Sequence, residues 1–109
     1  MTAEYVTVYI TATDEGEAQK IAETLVQERL AACANILGNI NSVYWWDGAV
    51  QNGTEVALIL KTRKTLFAQL KNRVAELHSY DCPCITAWDI AEGHQPYLDW
   101  IAVETSGSK

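Results

Sequence analysis

The sequence predicts an α+β fold of the ferredoxin-like, split βαβ kind: an antiparallel sheet with two long helices on one face and a short C-terminal helix. Three observations lead there. Runs of period two, such as Tyr5 to Thr11, alternate with helical faces, such as Ala18, Ile21, Ala22 and Leu25. The resulting order is strand, helix, strand, strand, helix, strand, then a short helix. No linker or low-complexity segment interrupts the 109 residues, so residues 1–109 read as one domain, long enough for a single core.

The first strand is Glu4 to Thr11. Val6, Val8 and Ile10 point one way; Tyr5, Thr7, Tyr9 and Thr11 point the other. Asp14 then offers an N-cap with Glu17 three residues on, the spacing of a capping box, and Glu15 and Glu17 suit the positive end of the helix dipole. Ala18, Ile21, Ala22, Leu25 and Val26 give that helix its apolar face, and Leu30, Ala31 and Ala32 close it. Gly38 and Asn39 interrupt the next apolar stretch, so the second strand is expected to start irregularly or with a bulge before Ile40 to Trp46.

Asp47-Gly48 and Asn52-Gly53 are both turn dipeptides, which leaves the hairpin register open. Val56 to Lys61 is the third strand. Thr62 or Thr65 is expected to cap the second helix, whose buried side is Leu66, Phe67, Leu70, Val74 and Leu77. Pro83 stops helical continuation and Ile85 to Ile90 is the fourth strand. Pro96 fits the first turn of a last helix with Tyr97, Trp100, Ile101 and Glu104 on one face, followed by a frayed polar tail from Thr105 to Lys109.

Two helices cover only one face of a four-stranded sheet, and the other face should then be polar. It is not. Tyr5, Tyr9, Ala57 and Ile59 share it, and either register of the second strand adds Trp45 or the pair Tyr44 and Trp46. That is more apolar surface than a monomer usually exposes. Either the chain self-associates through this face, or the last helix folds across it.

Fourteen acidic residues against eight basic ones give a net charge of −6 with no basic cluster, which excludes a nucleic-acid footprint. Three cysteines, an odd and sparse count, argue against a secreted disulfide framework. No charged-then-apolar leader opens the chain, and no apolar run approaches the roughly 20 residues that span a bilayer. The expectation is a cytoplasmic protein with no membrane partner.

Cys82-Pro83-Cys84 is the most conspicuous local chemistry. Two thiolates one residue apart suit a soft ion such as Cu(I), whereas a closed zinc site needs four ligands. His78, at the end of the second helix, is the nearest further donor, so His78, Cys82 and Cys84 form the candidate metal set; reduced structural cysteines and a helix-end histidine are the alternative. Ser42 and Ser79 lack a nucleophile-elbow context, and no phosphate loop follows a strand. Glu55 and Lys61 are the sole acid–base pair to nominate, and six residues of strand hold them about 20 Å apart.

The stretch Leu25 to Gly48, followed by Lys61-Thr62 and by His78-x-Tyr80, resembles the CutA family of divalent-cation tolerance proteins over nearly the whole chain. The matching block is Tyr44, Trp46, Gly48, Glu55, Lys61 and Thr62. The resemblance implies a homotrimer with its sheets packed inward, similar to the PII signalling trimers, and clefts between subunits lined by aromatic and charged residues. It makes Tyr44, Trp46, Glu55, Lys61 and Tyr80 the candidate ligand-binding residues. The chain departs from the family pattern at Ser79, Cys84 and Asp89, where Pro, Glu and Pro are usual. Ile10 and Leu77 stand where some members carry a Cys and a His offered as copper ligands, so a copper site here would draw on Cys84 instead. The reading is a non-enzymatic trimeric binding protein linked to divalent-cation tolerance, with copper or another divalent metal as the cofactor class. The alternatives are a structural trimer that presents loops to a protein partner, and a PII-like signalling module without a metal role.

Overall fold

The computed structural model describes residues 4–106. Its elements run β1 (Tyr5–Ala12), α1 (Glu15–Gln27), β2 (Cys33–Trp46), β3 (Ala49–Arg63), a short 3-10 turn (Lys64–Leu66), α2 (Phe67–Leu77), β4 (Ile85–Asp89) and α3 (Gln95–Glu104). The strands form one antiparallel sheet in the order β2-β3-β1-β4. This is the α+β arrangement expected from the alternation of periods.

One face of the sheet carries the core. Val6, Val8, Ile10, Val56, Leu58 and Leu60 pack there against Ala18, Ile21, Leu25, Leu70 and Val74 of α1 and α2. Apolar residues at helical spacing put one stripe of each helix on the sheet, and burying a Leu or Ile side chain contributes about 1.5–3 kcal/mol. Thr62 lies on the same face, fully buried, and its hydroxyl is without a hydrogen-bond partner. It therefore does not cap a helix: β3 runs on to Arg63, and neither the 3-10 turn nor α2 has a side-chain cap.

The long hairpin resolves the two competing turns. Asp47 and Gly48 both have positive φ, 55° and 77°, as a two-residue I′ turn requires, and Trp46 pairs with Ala49. Asn52 and Gly53 are ordinary β3 residues opposite Val43 and Ser42. The irregular start of β2 is a bulge between Ile36 and Gly38, where Gly38 takes φ 105°. That bulge turns Tyr44 and Trp46, rather than Trp45, onto the open face with Glu55.

The start of α1 is tied to the end of α2. Asp14 caps α1 by accepting from the Glu17 N–H at 2.8 Å. The Glu17 carboxylate reaches back to the Thr13 N–H at 2.9 Å, and its other oxygen accepts from the Ser79 N–H at 2.8 Å. Burial raises the Glu17 carboxyl's pKa, but the bonds from Thr13 and Ser79 outweigh it and hold the group below its ordinary value. A depressed native value stabilises above the unfolded pKa and stops doing so as pH falls through the native one. Glu17→Ala is thus expected to cost about 2 kcal/mol at neutral pH. In urea denaturation at a series of pH values, its deficit against the parent should shrink below about pH 4.

α3 stops at Thr105, which is buried rather than frayed. Its hydroxyl donates to the Ile101 carbonyl at 2.7 Å and accepts from Arg63 Nε at 3.0 Å. Residues 107–109 of the expected tail lie outside the described residues. Arg29, at the end of α1, ties down the same helix end through the Glu104 carboxylate and carbonyl, both at 3.0 Å.

Candidate functional site

The open face of the sheet stays largely uncovered. α3 meets it at the Lys61 and Arg63 end: the Lys61 ammonium sits 5.8 Å from the Tyr97 ring centre, and Cys33 Sγ lies 3.4 Å from the Tyr97 hydroxyl. That contact, with burial, pushes the Tyr97 hydroxyl up to about 12. Level with Lys61 but across β1, Trp88 remains 53% exposed, with Tyr9 beside it at 6.3 Å between ring centres, and at the hairpin end Trp46 remains 58% exposed. Only the small residues between these rings, Thr7, Thr11 and Ala57, are buried.

The 80–84 segment folds over this face and makes a cleft of about 770 Å³. Its floor is Tyr9, Thr11 and Glu55; Tyr44 and Trp46 of the hairpin form one wall; Tyr80, Cys82 and Cys84 form the other. Glu55 is the hub. Its two oxygens accept separately from Ser42 Oγ at 2.6 Å and from the Tyr80 hydroxyl at 2.9 Å. Burial, and then donation to Glu55, raise the Tyr80 hydroxyl's pKa. Burial also raises the Cys84 thiol, and the Glu55 carboxylate adds to that.

Four of the five ligand-binding candidates, Tyr44, Trp46, Glu55 and Tyr80, therefore meet in one cleft. Lys61 does not join them. It is six residues along β3 from Glu55, engaged with Tyr97 and with Asn35 Oδ1 at 3.5 Å. Sequence reasoning missed Ser42, which is placed beside Glu55 only by the strand register that pairs Ile40 with Glu55 and Ser42 with Gly53.

The candidate metal set divides. Cys82 and Cys84 line the cleft, but His78 is held beneath Tyr80, with 4.6 Å between ring centres. Its Nδ1 accepts from the Tyr80 N–H at 3.1 Å, and its Nε2 lies 2.7 Å from the Thr11 carbonyl. This pattern requires a proton on Nε2, which donates to Thr11. The Glu17 oxygen 3.8 Å from Nδ1 is then a neighbour rather than a salt-bridge partner. Both nitrogens are spent inside the chain, on a side chain with no exposed surface. The expected three-donor set of His78, Cys82 and Cys84 is corrected accordingly: the histidine's work is to pin the 78–80 turn to β1.

A ferredoxin-like sheet with an aromatic and carboxylate cleft on its open face defines a small α+β protein, and the chain is of the non-enzymatic kind. It belongs to the CutA1 divalent ion tolerance protein family, whose profile matches residues 6–104. It is 46% identical to the divalent-cation tolerance protein CutA of Archaeoglobus fulgidus over 94 residues, which cover 86% of this chain and 91% of that one. It is 47% identical to the protein of the same name from Thermus thermophilus over 98 residues, or 90% and 95% of the two chains. The crystal structure of CutA1 from Oryza sativa superposes with a TM-score of 0.93 at 39% identity, covering 98% of each chain.

The family's description names a divalent ion, and the residues of one chain do not fit one. Among the described residues no three His, Cys, Asp or Glu side chains gather to hold a metal. Both Glu55 oxygens already accept hydrogen bonds, and both His78 nitrogens are engaged.

Proposed function

We propose that the chain works as a non-enzymatic binding protein. In this reading it assembles as a homotrimer through the open face of its sheet, and its Glu55 cleft, completed by a neighbouring copy, takes a small ligand or cation. The names of its relatives supply the process, divalent-cation tolerance. The observation that carries the reading is the continuity of the cleft with uncovered aromatic surface: Tyr44 and Trp46 stand exposed on its wall, and Tyr9 on its floor leads to the exposed Trp88, a run of apolar rings of the kind that marks an interaction site. The hairpin adds Val43, Trp45 and Val50 on its other side, beyond the reach of the helices. A second copy laid on this surface would both bury the rings and roof the cleft. The free thiols of Cys33, Cys82 and Cys84 support a reducing compartment, which we read as the cytoplasm.

Native mass spectrometry, with light scattering at micromolar concentration, tests the assembly. Three chains per particle are expected. A stable monomer would remove the shared cleft and with it the proposed function. Given a trimer, Glu55→Gln is expected to keep the mass while weakening whatever an unbiased ligand screen finds on the parent. A trimer whose ligand profile is indifferent to Glu55 would favour the scaffold reading, in which the assembly presents loops to a protein partner.

A further inference from the structure

We propose that the Glu55 cleft is a receptor for a small organic cation with an N-methylated ammonium head, held by aromatic rings around a carboxylate. The inference rests on the cleft reading given above and names the ligand class. Four of the residues that line the cleft are aromatic: Tyr9 from β1, Tyr44 and Trp46 from β2, and Tyr80 from the turn after α2. Two more are acids, Glu55 and Asp81, and none is a lysine, arginine or histidine. Rings around a carboxylate attract a cation twice, through their negative π faces and through the charge, whereas an anion is repelled.

Glu55 decides which cation. It is half-buried, and among the described residues it has two hydroxyl donors, Ser42 and Tyr80, but no cationic partner. Hydroxyl bonds leave its charge in place. That charge reaches across the cleft, where it adds to burial in opposing ionisation of Tyr80 and Cys84. A hard metal ion would need a tight shell of oxygen donors, and among the described residues no such cluster gathers. A methylated ammonium needs none. When quaternary it donates no hydrogen bond, and ring faces with a nearby carboxylate bind it together. Its diffuse charge also makes leaving water for a half-buried site less costly than it is for a compact ion.

The cleft has the room. At about 770 Å³ it is of the size that takes a small molecule. Gly53 helps to keep it open. It lies two residues before Glu55 on β3 and so on the same face of the sheet. Among the described residues, and apart from its chain neighbours, the one heavy atom within 4 Å of a Cβ placed there is the Tyr44 hydroxyl, at 3.7 Å. A side chain at this position would therefore suit the strand but stand beside Glu55, against Tyr44, where the cation would sit. Trp45 and Trp88 do not line the cleft, and a covering copy of the chain accounts for them.

The test is a calorimetric and NMR titration of the full chain with tetramethylammonium chloride, sodium chloride holding the ionic strength constant. One cation per chain is expected, with a shift of the Trp46 indole N–H signal, assigned through Trp46→Phe. Tert-butanol, a neutral body of similar size, should bind about 10-fold more weakly or worse. Glu55→Gln removes the charge and nearly keeps the shape; Tyr44→Leu keeps apolar bulk without the ring. Each should weaken tetramethylammonium about 10-fold. Equal affinity in the parent and either variant, or for the cation and the alcohol, would overturn the proposal. Should Glu55→Gln misfold, Gly53→Val carries the test: it should keep the parent's circular dichroism and lose the cation, and undiminished binding there overturns the proposal. A parent that ignores tetramethylammonium, yet loses some other ligand on Glu55→Gln, sinks this inference and leaves the cleft reading intact. Native mass of the same sample reports assembly separately.

Discussion

Replacing Trp46 with Ala is expected to lower apparent stability by about 3–5 kcal/mol, the range for truncating a buried aromatic ring. It should also break the assembly into smaller species as protein is diluted. Within one chain the ring is 58% exposed, and an exposed ring on a monomer would cost below about 1 kcal/mol. The difference between those figures is the signature of an interface. Apparent stability that depends on association also rises with protein concentration, so the urea midpoint of the parent should move on dilution. A small loss with an unchanged native mass would place the ring in solvent and leave the open face without an occupant.

Much of this architecture was legible because backbone period and burial coincide. Val6, Val8 and Ile10 alternate with Tyr5, Thr7 and Tyr9, and the structure puts the first three in the core and the others on the open face. Asp14 and Glu17 announce the start of α1 by spacing alone, and both act there. What failed was long-range. Asn52-Gly53 has the composition of a turn, but Asp47-Gly48 takes that role, and a two-residue turn there forces Asn52 and Gly53 into the ladder. Thr62 and Thr65 have the composition of caps, but β3 carries Thr62 past the point where a helix could begin.

The site divides in the same way. Tyr44, Trp46, Glu55 and Tyr80 come from three separate stretches, and only the bulge before Gly38 sets which aromatic residues of β2 face Glu55. The four-residue step from His78 to Cys82 is what suggests the histidine as a ligand. Distance along the chain says nothing about what else a side chain meets, and here the Thr11 carbonyl, 67 residues away, claims the ring first. Lys61 failed for the reason the strand geometry already contained: a rigid ladder holds it well away from Glu55, next to Tyr97 instead.

Leu58→Ala is expected to be as damaging as Trp46→Ala, for a different reason. Leu58 is fully buried at the middle of β3, opposite Ile10 of β1 and Ile36 of β2. All three share the core face under the helices, so removing the leucine branch loses its transfer energy and leaves a cavity that the pleated neighbours cannot collapse to fill. The cost should be about 2–5 kcal/mol, read from the shift in urea midpoint at an unchanged slope. Leu58→Met, which nearly conserves volume, should cost below about 1.5 kcal/mol. Because this side chain belongs to one chain's interior, the native mass of Leu58→Ala under folding conditions should match the parent's, whereas that of Trp46→Ala should not. If both variants dissociate alike, the loss at Trp46 reports general destabilisation of the sheet and not a contact between copies.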